Sequence, residues 1–255
     1  MKKPTGRRPL LAGNWKMHGT RPETIALIDG IKGAAAEARD RDVLVAPPFT
    51  ALETAARALQ GTSIALAAQD VHAETKGAYT GEVAGDMLKD VGCGFVIIGH
   101  SERRQYFNET NEMVRAKIGA ALRADLKAIV CIGETLRERE GDNTLPVIER
   151  QVREGLAGLS RDTVKQLVIA YEPVWAIGTG KTATPEQAEE VHAAIRALLR
   201  EIAGDNGADA VRILYGGSVK ADNIDALMAQ PNIDGALVGG ASLDAAAFSR
   251  IIAFQ

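Results

Sequence analysis

One acidic side chain of this sequence stands where a general base would be useful. Glu172 follows the short apolar run Leu167-Val168-Ile169-Ala170-Tyr171, and a glycine-rich loop beginning at Pro173 comes after it. An apolar run of this length is typical of a parallel strand buried on both faces, and such strands carry catalytic side chains at their carboxyl ends. The pattern predicts a base beside a loop that can cover it. A solvated glutamate in an ordinary connector is the alternative.

Two polar side chains follow the first apolar run of the chain. Asn14 and Lys16 are two residues apart, so both can lean toward the same side of an extended segment. Lys16 can offer positive charge to a phosphate group or to a developing oxyanion. The alternative for Lys16 is an ordinary surface lysine.

An imidazole follows a third apolar run, Val96-Ile97-Ile98. His100 precedes Ser101-Glu102-Arg103-Arg104, which is predicted to begin a short helix. A helix amino terminus disfavours a cationic imidazole, so a neutral His100 could donate an N–H to a substrate carbonyl. A hydrogen-bonded structural histidine remains the alternative, and Glu102 is predicted to support the site rather than to react.

Glycine pairs end the last two apolar runs. Gly216-Gly217-Ser218 follows Tyr215, and Gly239-Gly240 follows Val238. Without a Cβ, backbone N–H groups can approach an anion closely, and the start of a helix adds favourable potential. The two pairs together predict a phosphate cradle, which Gly178 and Ser218 would complete.

Alternating strands and helices position these residues. The helix that begins after Thr184 is well marked, because Pro185 occupies its first position and Gln187 completes a capping box; His192 on this helix is predicted to be a surface residue. The eight predicted strands run from Leu10 to Asn14, Val43 to Ala46, Ile64 to Ala68, Phe95 to Ile98, Ala128 to Ile132, Leu167 to Tyr171, Arg212 to Tyr215 and Gly235 to Val238.

Eight strand-helix units in 255 residues match the size of a closed (β/α)₈ barrel. We expect a single domain over residues 1–255, with a flexible basic tail over residues 1–8. An open doubly wound sheet is the alternative architecture. The absence of a Gly-x-Gly-x-x-Gly turn after the first strand argues against it and against a dinucleotide site.

The composition and charge of the chain argue against several classes of partner and of cellular location. A formal net charge of −3 gives no basic excess for nucleic acid, and no apolar run is long enough for a signal peptide or a membrane span. Cys93 and Cys131 are too few for a disulfide framework and lack metal-ligand spacing. We therefore expect a cytoplasmic protein with two reduced thiols.

The motifs around these residues occur in one order that resembles the triosephosphate isomerase family from end to end. They are Asn14-Trp15-Lys16-Met17, Gly99-His100-Ser101-Glu102-Arg103-Arg104, Tyr171-Glu172-Pro173-Val174-Trp175-Ala176-Ile177-Gly178-Thr179-Gly180, Tyr215-Gly216-Gly217-Ser218 and Val238-Gly239-Gly240. The resemblance implies a TIM barrel that isomerises dihydroxyacetone phosphate and glyceraldehyde 3-phosphate in glycolysis and gluconeogenesis, without a cofactor or a metal.

The resemblance also implies a role for each site residue. Glu172 becomes the base, His100 the electrophile, and Lys16 and Asn14 the groups that stabilise developing negative charge. Asn14 and Lys16 also contact the substrate, whose phosphate is held by Gly178, Ser218, Gly239 and Gly240, while Ile177 and Leu237 cover Glu172 when the loop closes.

The segment Gly77-Ala78-Tyr79-Thr80-Gly81-Glu82 resembles a loop that inserts into a second subunit in the family. It implies a homodimer in which Thr80 lies near the partner's Asn14 and Lys16. His18 and Ala73 depart from the commonest family pattern and affect only this interface. Two other functions remain open: a Schiff-base aldolase that uses Lys16, and a sugar-phosphate sensor without catalysis.

Overall fold

A closed barrel of eight parallel strands forms the centre of the computed structural model, which describes residues 6–178 and 181–255. Each strand pairs with the next in chain order, and the last pairs with the first, Leu10 lying opposite Gly235. The predicted barrel is confirmed, and every predicted strand boundary falls within one residue of the observed one. The strands are β1 (Leu10–Asn14), β2 (Asp42–Ala46), β3 (Ala65–Ala68), β4 (Phe95–Ile98), β5 (Lys127–Ile132), β6 (Val168–Tyr171), β7 (Arg212–Tyr215) and β8 (Gly235–Val238).

Helices connect the strands on the outside of the barrel. They are α1 (Arg21–Glu37), α2 (Leu52–Ala58), α3 (Gly85–Asp90), α4 (Ser101–Tyr106), α5 (Asn111–Arg123), α6 (Leu136–Glu140), α7 (Thr144–Gly155), α8 (Arg161–Val164), α9 (Pro185–Ala210), α10 (Ile224–Met228) and α11 (Ala245–Ile252), with 3₁₀ turns at Phe49–Ala51, Val174–Ala176 and Gly240–Leu243. Among the helices of the described residues, none is both long enough and apolar enough to cross a bilayer.

Strand alternation fills two separate cores. Leu10 and Ala12 on β1 belong to a cluster inside the barrel, whereas Leu11 between them packs in the layer that separates the strands from the helices. Both layers are almost fully buried, and burying one leucine side chain contributes about 1.5–3 kcal/mol. This two-sided burial explains why the strands are continuous apolar runs, and it leaves only the strand ends for polar chemistry.

Helix α9 begins as predicted, with a capping box in which the Thr184 hydroxyl accepts the N–H of Gln187. The prediction for His192 was wrong, because this side chain is fully buried between the rings of Tyr171 and Tyr215. Its position explains the error. His192 lies four residues from both Ala188 and Arg196, so it shares their buried face.

The amino terminus also differs from the expected basic tail. Arg7 is buried, and its Nε donates to Oδ1 of Asp234 at 2.7 Å. Arg8 pairs with Asp42 at 2.5 Å. Ion pairs with carboxylates at the amino-terminal ends of the strands therefore fix residues 7 and 8 on the barrel. Residues 1–5 lie outside the described part of the chain.

Candidate active site

Glu172 lies at the carboxyl end of β6, as its sequence context predicts. Its backbone N–H donates to the carbonyl of Ile132 at 2.8 Å, which extends the β5–β6 pairing by one residue. The carboxylate is 2 % exposed. Its Oε2 accepts the backbone N–H of Ser101 at 2.9 Å, and its Oε1 lies 2.8 Å from Nε2 of His100. Two single hydrogen bonds thus hold a buried carboxylate.

The surroundings of Glu172 keep it ionised. Burial by itself opposes the charge, but the His100 imidazole and the Ser101 N–H outweigh burial, so the pKa of Glu172 is lowered. An ionised carboxylate with replaceable partners can accept a proton. Ser101, whose N–H makes one of these bonds, was not singled out in the sequence, although it directly follows His100.

His100 is the N-cap residue of α4, and its Nδ1 accepts the backbone N–H of Glu102 at 3.2 Å. This bond leaves Nε2 as the N–H donor of the neutral ring. Burial by itself lowers the pKa of His100, but the Glu172 and Glu102 carboxylates outweigh burial and raise that pKa while Glu172 is bound to the ring. The helix start therefore orients the N–H of His100 toward the Glu172 carboxylate.

Lys16 has a backbone φ of +52°, in the left-handed region that non-glycine residues seldom adopt. Such a conformation costs about 1–3 kcal/mol and persists only where neighbours enforce it. Oδ1 of Asn14 accepts the N–H of Lys16 at 3.1 Å, and Nε2 of Gln69 donates to its carbonyl at 2.8 Å. The ammonium lies 2.6 Å from Oε1 of Glu102. Asn14 and Gln69 thus aim the side chain of Lys16.

One cavity of about 490 Å³ collects the predicted residues at the carboxyl ends of the strands. The sequence pointed to these residues from five separate segments, and the barrel brings them together. The cavity is lined by Asn14, Lys16, His100, Glu172, Ile177, Gly178, Ser218, Leu237, Gly239 and Gly240, together with Gly216, Gly217, Val219, Lys220 and Ala241. Thr179 and Gly180, which belong to the loop motif, lie outside the described residues.

Two glycines around this cavity have different surroundings. At Gly216, a Cβ would lie 2.8 Å from Cγ of Glu172, so a side chain there would displace the carboxylate. At Gly240, a Cβ would meet no atom within 4 Å. The backbone at Gly240 therefore faces open space in which an anion can approach its N–H.

Glu134 is a buried acidic residue that the sequence analysis missed. It follows β5 after one intervening glycine, Gly133, whereas Glu172 follows β6 directly, so a similar strand-end signal was present. Its Oε1 accepts Nε1 of Trp175 at 2.8 Å and Oη of Tyr171 at 3.1 Å, and burial raises its pKa. Glu134 anchors the start of the loop that follows Glu172, since its carbonyl also accepts the N–H of Val174 at 3.0 Å.

The two cysteines offer no nucleophile to this site. Cys131 lies inside the barrel with its side chain fully buried, and burial raises its pKa well above the usual value. Burial also raises the pKa of Cys93 to about 12. Within residues 6–178 and 181–255, no three His, Cys, Asp or Glu side chains are grouped so as to hold a metal ion.

Comparison with known proteins places this geometry in a family. The profile of triosephosphate isomerase matches residues 9–255. Triosephosphate isomerases of Herpetosiphon aurantiacus and Moorella thermoacetica are 57% and 58% identical to the chain, over 98% of its length and 100% and 99% of theirs. The crystal structure of triosephosphate isomerase from Bartonella henselae superposes with a TM-score of 0.87 at 42% identity, covering 96% of this chain and 97% of that one. The chain belongs to the triosephosphate isomerase family.

Proposed function

We propose that this chain interconverts dihydroxyacetone phosphate and glyceraldehyde 3-phosphate, as an isomerase of glycolysis and gluconeogenesis that works in the cytoplasm. One observation carries the proposal. A buried, ionised Glu172 and the N–H donor of His100 line the same cavity as the glycine-rich ends of β7 and β8. A carboxylate base, a carbonyl-polarising donor and an anion cradle are the three parts that proton transfer beside a carbonyl needs in a phosphorylated sugar.

Glu172 is the base in this mechanism. It exchanges its bonds to Ser101 and His100 for a substrate C–H and removes that proton to give an enediolate. It then returns a proton to the neighbouring carbon, while the hydroxyl proton passes from one enediolate oxygen to the other. A positioned base contributes on the order of 10²–10⁴ in rate, or roughly 3–5 kcal/mol. Closure of Ile177 and Leu237 over the carboxylate would expel water and raise its basicity.

His100, Lys16 and Asn14 stabilise the negative charge that develops on the substrate oxygens. The Nε2–H of His100 is released for the substrate carbonyl when Glu172 turns toward the substrate. Lys16 then has two possible anionic partners, the substrate and Glu102. One well-aimed donor is worth about 3–4 kcal/mol, but residues acting as a unit do not add.

The phosphate is held by backbone N–H groups at Gly178, Ser218, Gly239 and Gly240. These residues lie on three loops, after β6, β7 and β8, and line one side of the cavity. Loops after the seventh and eighth strands of such barrels commonly bind phosphate. The cradle fixes one end of the substrate while Glu172 acts on the other.

A coupled assay tests the activity and separates it from the two alternatives. The purified protein is given dihydroxyacetone phosphate, and glyceraldehyde 3-phosphate is detected by its aldehyde chemistry. We expect rapid conversion in both directions and no covalent adduct after borohydride treatment. Trapping of substrate on Lys16 would identify a Schiff-base enzyme. Binding without turnover would identify a sensor.

We propose further that the chain forms a homodimer through the loop around Thr80. Residues 74–82 are all exposed, and Tyr79 at the tip is 46 % exposed. Met17, after β1, is 93 % exposed and adjoins the site residue Lys16. Large exposed apolar side chains on loops at one end of the barrel are typical of an interface. Sedimentation equilibrium should give twice the 27.0 kDa chain mass, and the single-chain mass would contradict the dimer.

We also propose that the barrel is a single domain. The sheet closes only when β1 pairs with β8, so neither half of the chain contains a closed sheet of its own. Unfolding followed by circular dichroism and by tryptophan fluorescence should therefore give coincident transitions. Two separated transitions would contradict a single cooperative unit.

A further inference from the structure

Lys220 is a cation at the cavity that the mechanism above does not use. It is exposed and lines the same cavity as Ser218 and Gly239. Among the residues that the structure describes, its ammonium takes part in no ion pair. Its charge is therefore available to a ligand.

The turn that carries Lys220 is rigidly attached to the cradle. Nδ2 of Asn223 donates to the carbonyl of Ser218 at 2.9 Å, and Oδ1 of the same amide accepts the N–H of Lys220 at 2.8 Å. Val219, between them, is buried in the core. One asparagine thus fixes the position of Lys220 relative to Ser218, which is assigned to the phosphate.

The charged side chains that the structure describes around the cavity leave Lys220 without a compensating carboxylate. Apart from His100, the charged side chains that line the cavity are Lys16, Glu172 and Lys220. Glu102 compensates the charge of Lys16 at 2.6 Å, and Glu172 is ionised. Without Lys220 the described part of the cavity would present no uncompensated positive charge to a substrate whose phosphate is a dianion, on a chain whose formal net charge is already −3.

We propose that Lys220 is a further substrate-binding residue, which draws the phosphate dianion into the cavity and contributes to association rather than to proton transfer. This inference rests on the proposed function and adds to it. An exposed charge acts through solvent, so its effect must depend on ionic strength. It must also depend on the charge of the substrate, because an uncharged triose offers Lys220 no phosphate.

The test compares Lys220→Gln with Lys165→Gln, in which an exposed lysine is removed just before β6, at the opposite end of the barrel. kcat/KM for glyceraldehyde 3-phosphate is measured at about 10 mM and about 1 M ionic strength, between which the Debye length falls from about 30 Å to about 3 Å. We expect Lys220→Gln to lower kcat/KM about three- to tenfold at low ionic strength, with little loss at high ionic strength.

Three further readouts make the test specific. For Lys220→Gln, kcat should stay within about twofold of the parent and the inhibition constant of inorganic phosphate should rise, since binding is affected and chemistry is not. Turnover of unphosphorylated glyceraldehyde should not change. Lys220→Arg should restore most of the salt-dependent loss.

Each failure has its own meaning. If the parent protein shows no isomerisation, the proposed function fails. If the parent is active and Lys220→Gln loses no more than Lys165→Gln, or loses equally at both ionic strengths, the role of Lys220 is refuted. Loss of glyceraldehyde turnover in Lys220→Gln would likewise contradict it, because that loss would place Lys220 in the chemistry.

Discussion

Two buried carboxylates, Glu172 and Asp234, lie at opposite ends of the barrel. Glu172 follows β6 at the carboxyl end, and Asp234 precedes β8 at the amino end. Their side chains are 2% and 0% exposed. Burial therefore does not distinguish them, and the difference between their roles must come from their partners and from the adjoining space.

The partners of Asp234 hold the barrel closed. Arg7 donates its Nε to Oδ1 of Asp234 at 2.7 Å, Arg196 forms a short ion pair with Oδ2, and the N–H of Ile213 donates to Oδ2 at 3.0 Å. Two arginines and a strand amide thus neutralise one buried charge and join the amino terminus, α9 and β7 to β8. A group held by two buried cations is too stable to exchange its partners for a substrate.

The partners of Glu172 are an amide N–H and an imidazole, and its carboxylate borders a cavity. It can leave both partners at a cost of two single hydrogen bonds. We infer that a buried carboxylate is structural where fixed cations neutralise it. It can react where replaceable donors hold it beside open space.

The largest effect should come from removing the proposed base. Glu172→Gln keeps the size of the side chain but cannot accept the proton, so kcat should fall by at least about 10² while affinity for a phosphate ligand stays within a few fold. Thermal unfolding should change little. Near-normal turnover of the purified variant would contradict the proposed role of Glu172 as the base.

The matched change at the other end should show the opposite pattern. Asp234→Asn leaves Arg196 buried without a paired carboxylate, and it leaves Arg7 with only the exposed carboxylate of Asp209, at 3.8 Å. The change should lower the free energy of unfolding by about 3–5 kcal/mol. The molecules that remain folded should have the kcat of the parent protein. Urea unfolding at fixed protein concentration measures the first quantity, and kcat per folded molecule measures the second. Unchanged stability would contradict the structural role of Asp234.

A loss in both kinetic constants is expected at Lys16, which is neither a fixed support nor the proposed base. Lys16→Ala should raise KM and lower kcat together, with kcat/KM falling by about 10²–10³, because in the proposed mechanism the ammonium faces both the phosphate and the oxyanion. Steady-state kinetics beside a thermal melt resolve the outcome. A change in stability alone, with both constants unaltered, would make Lys16 a structural residue like Asp234.

The smallest effect is a shift in pH dependence. Since the base must be ionised, activity is lost as pH falls through its pKa, and the lowered pKa of Glu172 puts that loss below 4.5. For glyceraldehyde 3-phosphate, the acid limb of kcat/KM should instead lie near about 6, where a phosphate monoester takes up its proton.

Unphosphorylated glyceraldehyde is the control for this pH profile. It carries no titrating phosphate, so its acid limb should move below 4.5, the ordinary value for a glutamic acid. A limb that stays above 6.5, the ordinary value for histidine, would mean that His100 is charged in the free enzyme. That outcome would contradict the prediction and would mean that contact with Glu172, which raises the pKa of His100, keeps the ring charged until the substrate binds.

Much of this comparison could be predicted from the sequence, because the barrel follows from short apolar runs and the site from the polar residue after each run. Glu172, His100 and Lys16 all carry that signal. Glu134 carries it too, but it could not be distinguished from a surface residue until its bonds to Trp175 and Tyr171 were visible.

The sequence failed where burial depends on contacts distant along the chain. The local sequence predicts a basic tail at Arg7, because its partner Asp234 lies 227 residues away along the chain. His192 reads as a surface residue because the buried face of α9 is wider than its apolar stripe. Lys220 gives no local signal, since its interest depends on the charges that the barrel gathers around it.

The most direct test of the central claim is the isotope content of the product in heavy water. A proton that rests on Glu172 between its removal and its return can exchange with solvent, so glyceraldehyde 3-phosphate formed from dihydroxyacetone phosphate in D₂O should carry deuterium at C2. Glu172→Gln should lose turnover and label together. Conversion by the parent protein with no deuterium in the product would mean direct hydrogen transfer between the carbons, and would contradict Glu172 as the base.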